Sequence, residues 1–553
     1  MTLQGPLVIQ SDHTFLLEVE HPLYDKCRDL LVTFAELVKS PEFIHTYRVT
    51  PLSLWNAAAL EITLVEIESG LRSFSRYDIP GNVLADIREW YNNYGKVVLV
   101  KDTPGRIRLV VDDPVINERL VSDEKLGSYC IEREGNEFLV DENDRGELKY
   151  AMVKAGFPVK DLCGYTSGIE LDIALRDVDS DGVEFDLYDY QLEAVDAFYR
   201  SGKKIGGSGI IVLPCGSGKT IIGLGVMSEI SNNTLIITTN NVAVHQWIDE
   251  IHAKTHIREE DVGEFTGLDK KIKPITVTTY QMLTHRRSRK DNMENLEIFR
   301  KNGWGLIIYD EVHMLPAPVF RVTSGIQARR RLGLTATLIR EDGKEDEVFA
   351  LIGPKRYDVP WKVLENRGYI AEAICTEYRI VLPAEVEMDY AHATKRRKFR
   401  IAAENPAKLA LVRQLIINHP DDSILIIGQY ISQVEGLSKE LDVPIITGKT
   451  RNSEREKLYS NFRTGKVRIL VVSKVANFAV DLPDASMMIQ VSGTFGSRQE
   501  EAQRLGRILR PKDRTSHFYT LVSARTVEQT FGINRQLYLV EQGYRYQIRY
   551  YSS

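Results

Sequence analysis

The sequence predicts an α/β protein built on two open parallel sheets, and two observations carry that prediction. Short apolar runs alternate with helical stretches in two series: IIVL (210–213), LIIT (235–238), ITVTT (275–279) and LIIY (306–309), then ILII (424–427), ILVVS (469–473) and MMIQV (487–491). Such runs read as strands buried on both faces, and strand–helix–strand alternation means parallel pairing under helices. The second observation is that LPCGSGKT (213–220) continues the first run and YDEVH (309–313) ends the fourth. At 553 residues the chain has room for roughly three to five domains, each with its own core.

In chain order, residues 41–120 combine amphipathic helices (SLWNAAALEITLVEIESGLRSF, VLADIREWYNNYG) with short strands (KVVLV, IRLVV). Helices followed by a hairpin predict a winged-helix-like unit over 1–120, a module that binds DNA or other proteins. Residues 121–185 are acidic and mix strand with helix, and RDVDSDGVEFD (176–186) reads as a linker into the first sheet domain, 186–352.

The phosphate-binding chemistry begins at 213. Gly216, Ser217 and Gly218 free the backbone to curl its N–H groups toward phosphate, with Pro214 and Cys215 leading into the turn. Lys219 reaches the β/γ-phosphates, Thr220 offers its hydroxyl to Mg²⁺, and the helix that starts there adds its positive dipole end. Leu213 stands where the usual pattern has its first glycine. Cys215 has no accompanying base and reads as a small buried filler. At the end of the fourth run, Asp310 is placed to hold Mg²⁺ through water and Glu311 to orient the attacking water. The two segments together specify a nucleoside triphosphatase.

Three basic runs follow: HRRSRK (285–290), ARRR (328–331) and KRRKFR (395–400). Any one such run is also an ordinary solvated face. Three in a nucleotide-hydrolysing chain point to phosphate contacts through Lys395, Arg396, Arg397, Lys398 and Arg400, with Phe399 available to pack or to stack on a base. The net charge of −6 does not oppose this, because binding depends on local patches. The second series, 406–553, has no phosphate loop, so its contribution is sought at QEEAQRLGRILRP (499–511). This reads as a helix ended near Pro511, with Gln503, Arg507 and Arg510 on one face. Arginines supplied to a γ-phosphate by a second domain are worth about 10³–10⁵ in turnover.

Composition bounds the rest. Hydrophobic content of 43% with 27% charged residues is that of an ordinary globular protein. There is no apolar leader at the first residues and no run of 18 apolar residues, which predicts neither secretion nor a membrane span. The five cysteines are scattered without a C-x-x-C, which argues for a reducing compartment and against structural zinc.

The ordered set DYQ (189–191), LPCGSGKT, TTNNVAVHQW (238–247), GEFTG (263–267), VTTYQML (277–283), YDEVH, LTATL (334–338), IIGQY (426–430), ITGKT (446–450), SKVANFAVDLP (473–483) and QRLGRILR resembles a superfamily 2 helicase or translocase. DEVH, LTATL running into IREDG, and GSRQEEAQRLGRILRPK narrow the resemblance to the XPB family of DNA helicases, and QSDHTFLLEVEHP and HTYRVTPLSLWNAA extend it to the N-terminal region of the bacterial form. The resemblance implies two RecA-like lobes, smaller α+β N-terminal domains and a helical thumb within 353–405. It also implies a damage-recognition-like domain near 121–185.

By the same resemblance Gln191 reads the adenine edge, Asp481 senses nucleotide or couples closure, and His313 links the site to Thr335–Thr337. Thr239, Gln246, Thr266, Gly267 and Thr279 match positions that track one nucleic-acid strand, with Thr447, Gly448 and Lys474 as counterparts in the second lobe. Arg340, Glu341 and Asp342 match the element credited with strand separation, although a charged turn there is also a plain solvated loop. The family pattern is broken twice. Leu187-Tyr188-Asp189-Tyr190-Gln191 lacks the arginine and proline of LRPYQ, leaving Tyr188 to stack on the base, and Ala479-Val480-Asp481 lacks the usual small glycine. The expected activity is ATP- and Mg²⁺-dependent 3′-to-5′ DNA helicase or translocase action on 3′-tailed or forked duplex. The expected setting is a monomer in the cytoplasm with the nucleoid, working beside repair nucleases or transcription and repair proteins. The rival readings are an RNA helicase and a duplex clamp that does not separate strands.

Overall fold

The computed structural model describes residues 5–551 except 40–42, 104, 164–167, 181, 200–206, 215, 268, 285–298, 300–301, 315–327, 337–344, 360, 474–484, 494–496, 511 and 513; for 39, 143, 329, 345–346, 452 and 498–499 it describes the backbone only. Cys215, HRRSRK, Thr337, Arg340, Glu341, Asp342, Lys474, Ala479, Val480 and Asp481 therefore lie outside the described residues or segments. Contacts gather the chain into two compact units. One comprises Met1–Glu36, Thr46–Leu213 and Gly218–Asp358, the other Leu37–His45, Pro214–Ser217 and Val359–Ser553.

The first unit is organised by a seven-stranded sheet in the order Val262–Phe265, Ile275–Thr279, Thr234–Thr238, Trp304–Asp310, Ala328–Thr335, Ser208–Val212, Lys355–Asp358. All of its pairings are parallel. The middle strands are buried along their length, which is why their sequences are continuous apolar runs rather than alternating ones. Register aligns Asp310 with Leu334 and Thr335 with Val212, so three neighbouring strands finish at one edge of the sheet. ARRR opens the strand Ala328–Thr335, where Arg331 is buried against the Tyr309 hydroxyl at 3.0 Å and Arg330 lies over the Tyr199 ring. Three arginines in a row hide a strand from a reading by hydropathy, because long cationic stems pack along a sheet while their heads find partners.

Two smaller sheets precede it. One runs in the order Leu7–Ile9, Thr14–Glu18, Ile44–Arg48, Glu36–Lys39. The other has five strands, Cys130–Glu134, Glu137–Asp141, Arg106–Val111, Val97–Lys101, Val159–Asp161. The hairpin Val97–Val111 is therefore no wing, since both its strands have further neighbours, and the expected boundary at 120 falls inside one sheet. The long helix expected over 53–74 is two, Pro51–Ala59 and Leu64–Phe74. Glu61 at φ 65° turns the chain, and Thr63 with Glu66 forms a capping box that restarts it. These modules share a core with the large sheet: Trp55, Val153 and Phe349 are buried in the same cluster as Ile237, Ile307 and Tyr309.

The second unit carries its own seven-stranded parallel sheet, ordered Ile445–Ile446, Ile469–Ser473, Ile424–Gly428, Met487–Gln490, Ser516–Ser523, Ala373–Ile380, Tyr546–Tyr551. The expected segment 353–405 is thus divided. Lys355–Asp358 closes the first sheet, Ala373–Ile380 lies within the second, and only Ala384–His392 and Lys395–Ala403 form added helices. Phe399 is 1% exposed and meets Phe531 edge-on at 5.3 Å, so it anchors its helix and does not stack on a base.

A buried ion pair pins this unit. Lys408 Nζ reaches Glu528 Oε2 at 2.9 Å and also donates to the carbonyls of Val491 and Ala403, while Ser523 N–H donates to the same carboxylate. Burial pulls the Lys408 pKa down and the Glu528 charge opposes it. Lys408→Met leaves Glu528 charged and buried; chemical denaturation of the full chain is expected to show a loss of about 3–5 kcal/mol in the second unit's transition.

Candidate active site

The strand Ser208–Val212 delivers the chain to the phosphate loop, where Gly216 (φ 84°) and Gly218 (φ 74°) adopt left-handed backbone open to glycine. Ser217 donates its hydroxyl to the Pro214 carbonyl at 2.7 Å, closing the loop on itself. The helix Lys219–Ile230 follows with no side chain capping its first turn, so Lys219 and Thr220 open a helix whose leading N–H groups point along its axis, out of the N-terminus. A Cβ at Gly218 would fall 2.6 Å from Gln191 Nε2, so only glycine lets the Gln191 amide lie against the loop. Gln191 is 3% exposed; its Oε1 accepts from Tyr188 N–H at 3.0 Å, at the start of the helix Asp189–Tyr199. Tyr188 is 54% exposed, with its ring stacked on Tyr190.

Two strands along, the acidic pair leaves the sheet through a turn. Asp310 is the last residue of Trp304–Asp310, and Glu311 sits at φ 48°, a costly conformation for a side chain of its type. That turn aims both carboxylates at Lys219, whose Nζ is 3.8 Å from Glu311 Oε1. Glu311 Oε2 is buried without a hydrogen bond, 3.4 Å from His313 Nδ1. His313 is itself held by Thr335, Nδ1 to Oγ1 at 2.6 Å, at the end of the intervening strand. The link from His313 to the segment after that strand, expected from sequence, is present at Thr335.

Asp310 is fixed from three sides. Its Oδ2 accepts from Trp247 Nε1–H at 3.0 Å and its Oδ1 from Glu311 N–H at 2.9 Å, and its carbonyl accepts from the Tyr280 hydroxyl at 2.8 Å. Burial, then the Glu311 charge, push the Asp310 pKa up to about 6. Burial likewise holds the Tyr280 phenol protonated, well above its ordinary range. Two carboxylates beside one ammonium leave negative charge that a divalent cation would neutralise, and the unsatisfied Glu311 Oε2 is an acceptor waiting for a proton donor. Asp310 and the half-buried Thr220 would supply oxygen donors to such a cation, and the glycines beside Lys219 would leave room for a phosphate. Trp247 and Tyr280 had no role in the sequence reading; the signal that points to them is an aromatic directly after Gln246 and directly after Thr279.

The comparisons agree along the whole chain. A family model described as ERCC3/RAD25/XPB C-terminal helicase matches residues 364–551, one described as type III restriction enzyme, res subunit, matches 184–340, and one described as helicase conserved C-terminal domain matches 7–134. A DNA 3′-5′ helicase XPB of Kineococcus radiotolerans is 47% identical over 547 residues, covering 98% of this chain and 96% of the relative. This chain belongs to the XPB family. The DNA 3′-5′ helicase XPB of Mycobacterium tuberculosis is also 47% identical, over 99% of this chain and 98% of the relative. A general transcription and DNA repair factor IIH helicase/translocase subunit XPB of Enterocytozoon bieneusi is 34% identical over 98% and 92%. The crystal structure of T4 UvsW aligns over 83% of this chain and 99% of that one at 13% identity and TM-score 0.32, an overlap that adds nothing to the strand order.

The remaining positions of this XPB-family chain separate into surface and support. Gln246 and Gly267 are exposed and Thr239 is half-buried, as strand contacts require. Thr266 is fully buried with its hydroxyl donated to Glu264 at 2.6 Å, and Thr279 is 4% exposed with its hydroxyl accepting from Met282 N–H. Both threonines are buried at the ends of their strands, where their hydroxyls bond within the first unit. In the second unit Gly448 is exposed, whereas Thr447 is 8% exposed and caps Lys449 N–H.

Lys395, Arg396 and Arg397 are exposed, Lys398 lies over the Tyr390 ring, and Arg400 is paired with Glu404 at 2.9 Å. Three of the five expected phosphate contacts therefore remain on the surface without a mate in the same helix turn. The helix expected over 499–511 stops at Gly506. Beyond it the backbone bonds tighten to three-residue spacing (Ile508 to Leu505, Leu509 to Gly506), so Arg507 and Arg510 follow the regular helix, and a Cβ at Gly216 would fall 3.2 Å from Arg510 Cγ. Arg504, between them, is buried on Gln490 and Glu500 and holds the helix down.

Glu311→Gln keeps the shape of the turn and removes the acceptor that would take a proton from water. Nucleoside triphosphate turnover is expected to fall about 10²–10⁴-fold with nucleotide affinity unchanged, read by phosphate release and equilibrium binding.

Proposed function

We propose that the chain hydrolyses ATP at Lys219, Asp310 and Glu311 and uses the energy to move 3′-to-5′ along one DNA strand, opening the duplex ahead. The observation that carries this reading is the convergence of three strand ends, bearing Lys219 on the following helix, Asp310–Glu311 and Thr335–His313, in a chain of XPB type over its full length. Lys219 binds the terminal phosphates. Glu311, its Oε2 buried beside His313, orients water and accepts its proton. His313, held by Thr335, keeps the glutamate in place. Mg²⁺ on Thr220 and Asp310 supplies charge neutralisation at the phosphate oxygens. Arg507 and Arg510 are the second unit's candidates for the γ-phosphate, and Lys395, Arg396 and Arg397 for backbone contacts independent of base sequence. The substrates of this reading are 3′-tailed or forked duplexes met in the cytoplasm; the company of repair or transcription proteins is supported by a relative's description as a transcription and DNA repair factor subunit.

Two measurements test it. ATP is expected to drive displacement of a labelled strand from a 3′-tailed duplex, not from a 5′-tailed one, and Lys219→Ala is expected to abolish it; equal displacement from both tails overturns the polarity. The second measurement is pH dependence. Asp310, raised to about 6, must lose its proton to hold Mg²⁺, so the proton competes only below that pH. The Mg²⁺ concentration that half-saturates nucleotide binding is expected to be flat above pH 6 and to climb about tenfold per unit below it.

A further inference from the structure

Two aromatic side chains join segments of the first unit that resemble strand-tracking motifs to Asp310, the residue proposed above to hold Mg²⁺. Trp247 follows the exposed Gln246 on the helix Asn241–Lys254. Its ring is 1% exposed and its indole N–H is on Asp310 Oδ2 at 3.0 Å. The far edge of the same ring lies on the helix after the phosphate loop, where a Cβ at Gly223 would come within 2.5 Å of it. Tyr280 follows Thr279 at the end of the strand Ile275–Thr279. The strand Thr234–Thr238 lies between that strand and Trp304–Asp310, and the Tyr280 hydroxyl reaches past it to the Asp310 carbonyl at 2.8 Å. One donor therefore orients the carboxylate and the other orients its backbone; Trp247 adjoins the exposed Gln246, a position expected to follow a DNA strand, and Tyr280 adjoins the exposed Gln281.

Buried aromatics at such places pack a core whatever else they do. Packing alone, however, requires neither polar atom to end on Asp310. An indole N–H on the carboxylate of a metal-binding residue is a partner of the kind that fixes a ligand's orientation and sets metal affinity. A shift of either segment on binding DNA would move that donor, and the equilibrium effect must run in both directions.

We propose that Trp247 and Tyr280 are positioning residues that couple DNA occupancy of the first unit to Mg²⁺–nucleotide binding through Asp310. The inference rests on the DNA-helicase reading above and deepens it by assigning the connection to two hydrogen bonds. Trp247→Phe and Tyr280→Phe each remove one donor and leave a ring in the core.

DNA affinity is measured by fluorescence anisotropy on a 3′-tailed duplex, with and without Mg²⁺ and a non-hydrolysable ATP analogue, alongside Mg²⁺ titrations of analogue binding. Thermal unfolding of each variant reads the packing contribution separately. In the unsubstituted chain the analogue is expected to shift DNA affinity severalfold. In the variants that shift is expected to shrink toward one, and Trp247→Phe is expected to raise the half-saturating Mg²⁺ about tenfold or more. Variants that are less stable yet retain the full shift and the original Mg²⁺ requirement would overturn the coupling and leave both residues as core packing. An unsubstituted chain that does not bind the duplex would overturn the function reading itself, an outcome visible before any variant is made.

Discussion

The arrangement depends on how the protein handles two carboxylates placed side by side at a buried strand end. Asp310 and Glu311 face one ammonium, from Lys219, at 3.8 Å from the nearer glutamate oxygen. Left to themselves they repel, and the raised Asp310 pKa records that burial and the neighbouring charge both work against its ionised form. The structure does not relieve this with a second cation among the described residues. It distributes donors instead: an indole, a peptide N–H and a phenol on Asp310, a histidine beside Glu311. A divalent cation with the phosphates it accompanies would neutralise the negative charge that remains.

A parallel sheet is suited to this task because its strand ends align. The register that brings Thr335 beside Val212 and Asp310 beside Leu334 sets the phosphate loop, the histidine latch and the acidic pair at one edge. Helices whose N-termini meet that edge add favourable potential for anions. The N-terminal modules share the sheet's core through Trp55, Val153 and Phe349, so their packing and the first unit's sheet are one folding problem. The second unit has the same sheet architecture, with its own apolar core and a fully buried Lys408–Glu528 pair joining the helices Ala407–Asn418 and Val527–Glu541.

Legibility in the sequence followed the physics of each segment. Continuous apolar runs gave seven strands, because burial on both faces leaves no other composition. Strands that carry charge were passed over. ARRR hid Ala328–Thr335, KRYD hid Lys355–Asp358, and AICTEYRI hid a strand placed inside the second sheet, Ala373–Ile380. Each has polar side chains satisfied by partners distant in sequence, such as Arg331 on Tyr309, Arg356 on the Ser208 carbonyl or Glu377 on Gln536. Burial also decided between roles the sequence left open: Phe399, available to pack or to stack, packs, and Thr266 in a strand-tracking motif is buried, because a residue's neighbours in sequence do not report its neighbours in space.

What the sequence determined by itself was the chemistry: glycines at 216 and 218, a lysine and threonine after them, two carboxylates and a histidine after a buried strand, in an order that marks the family. Those choices are dictated locally, by backbone freedom, by charge and by donor type, and so they survive reading along a line. The tertiary structure alone decided which carboxylate oxygen meets which donor. Trp247 and Tyr280 reach Asp310 from 63 and 30 residues away, and Gln191 is admitted to the phosphate loop by the missing Cβ of Gly218. Hydrogen bonds of this kind require separate strands to be stacked in one order and register, and that order is a property of the whole sheet.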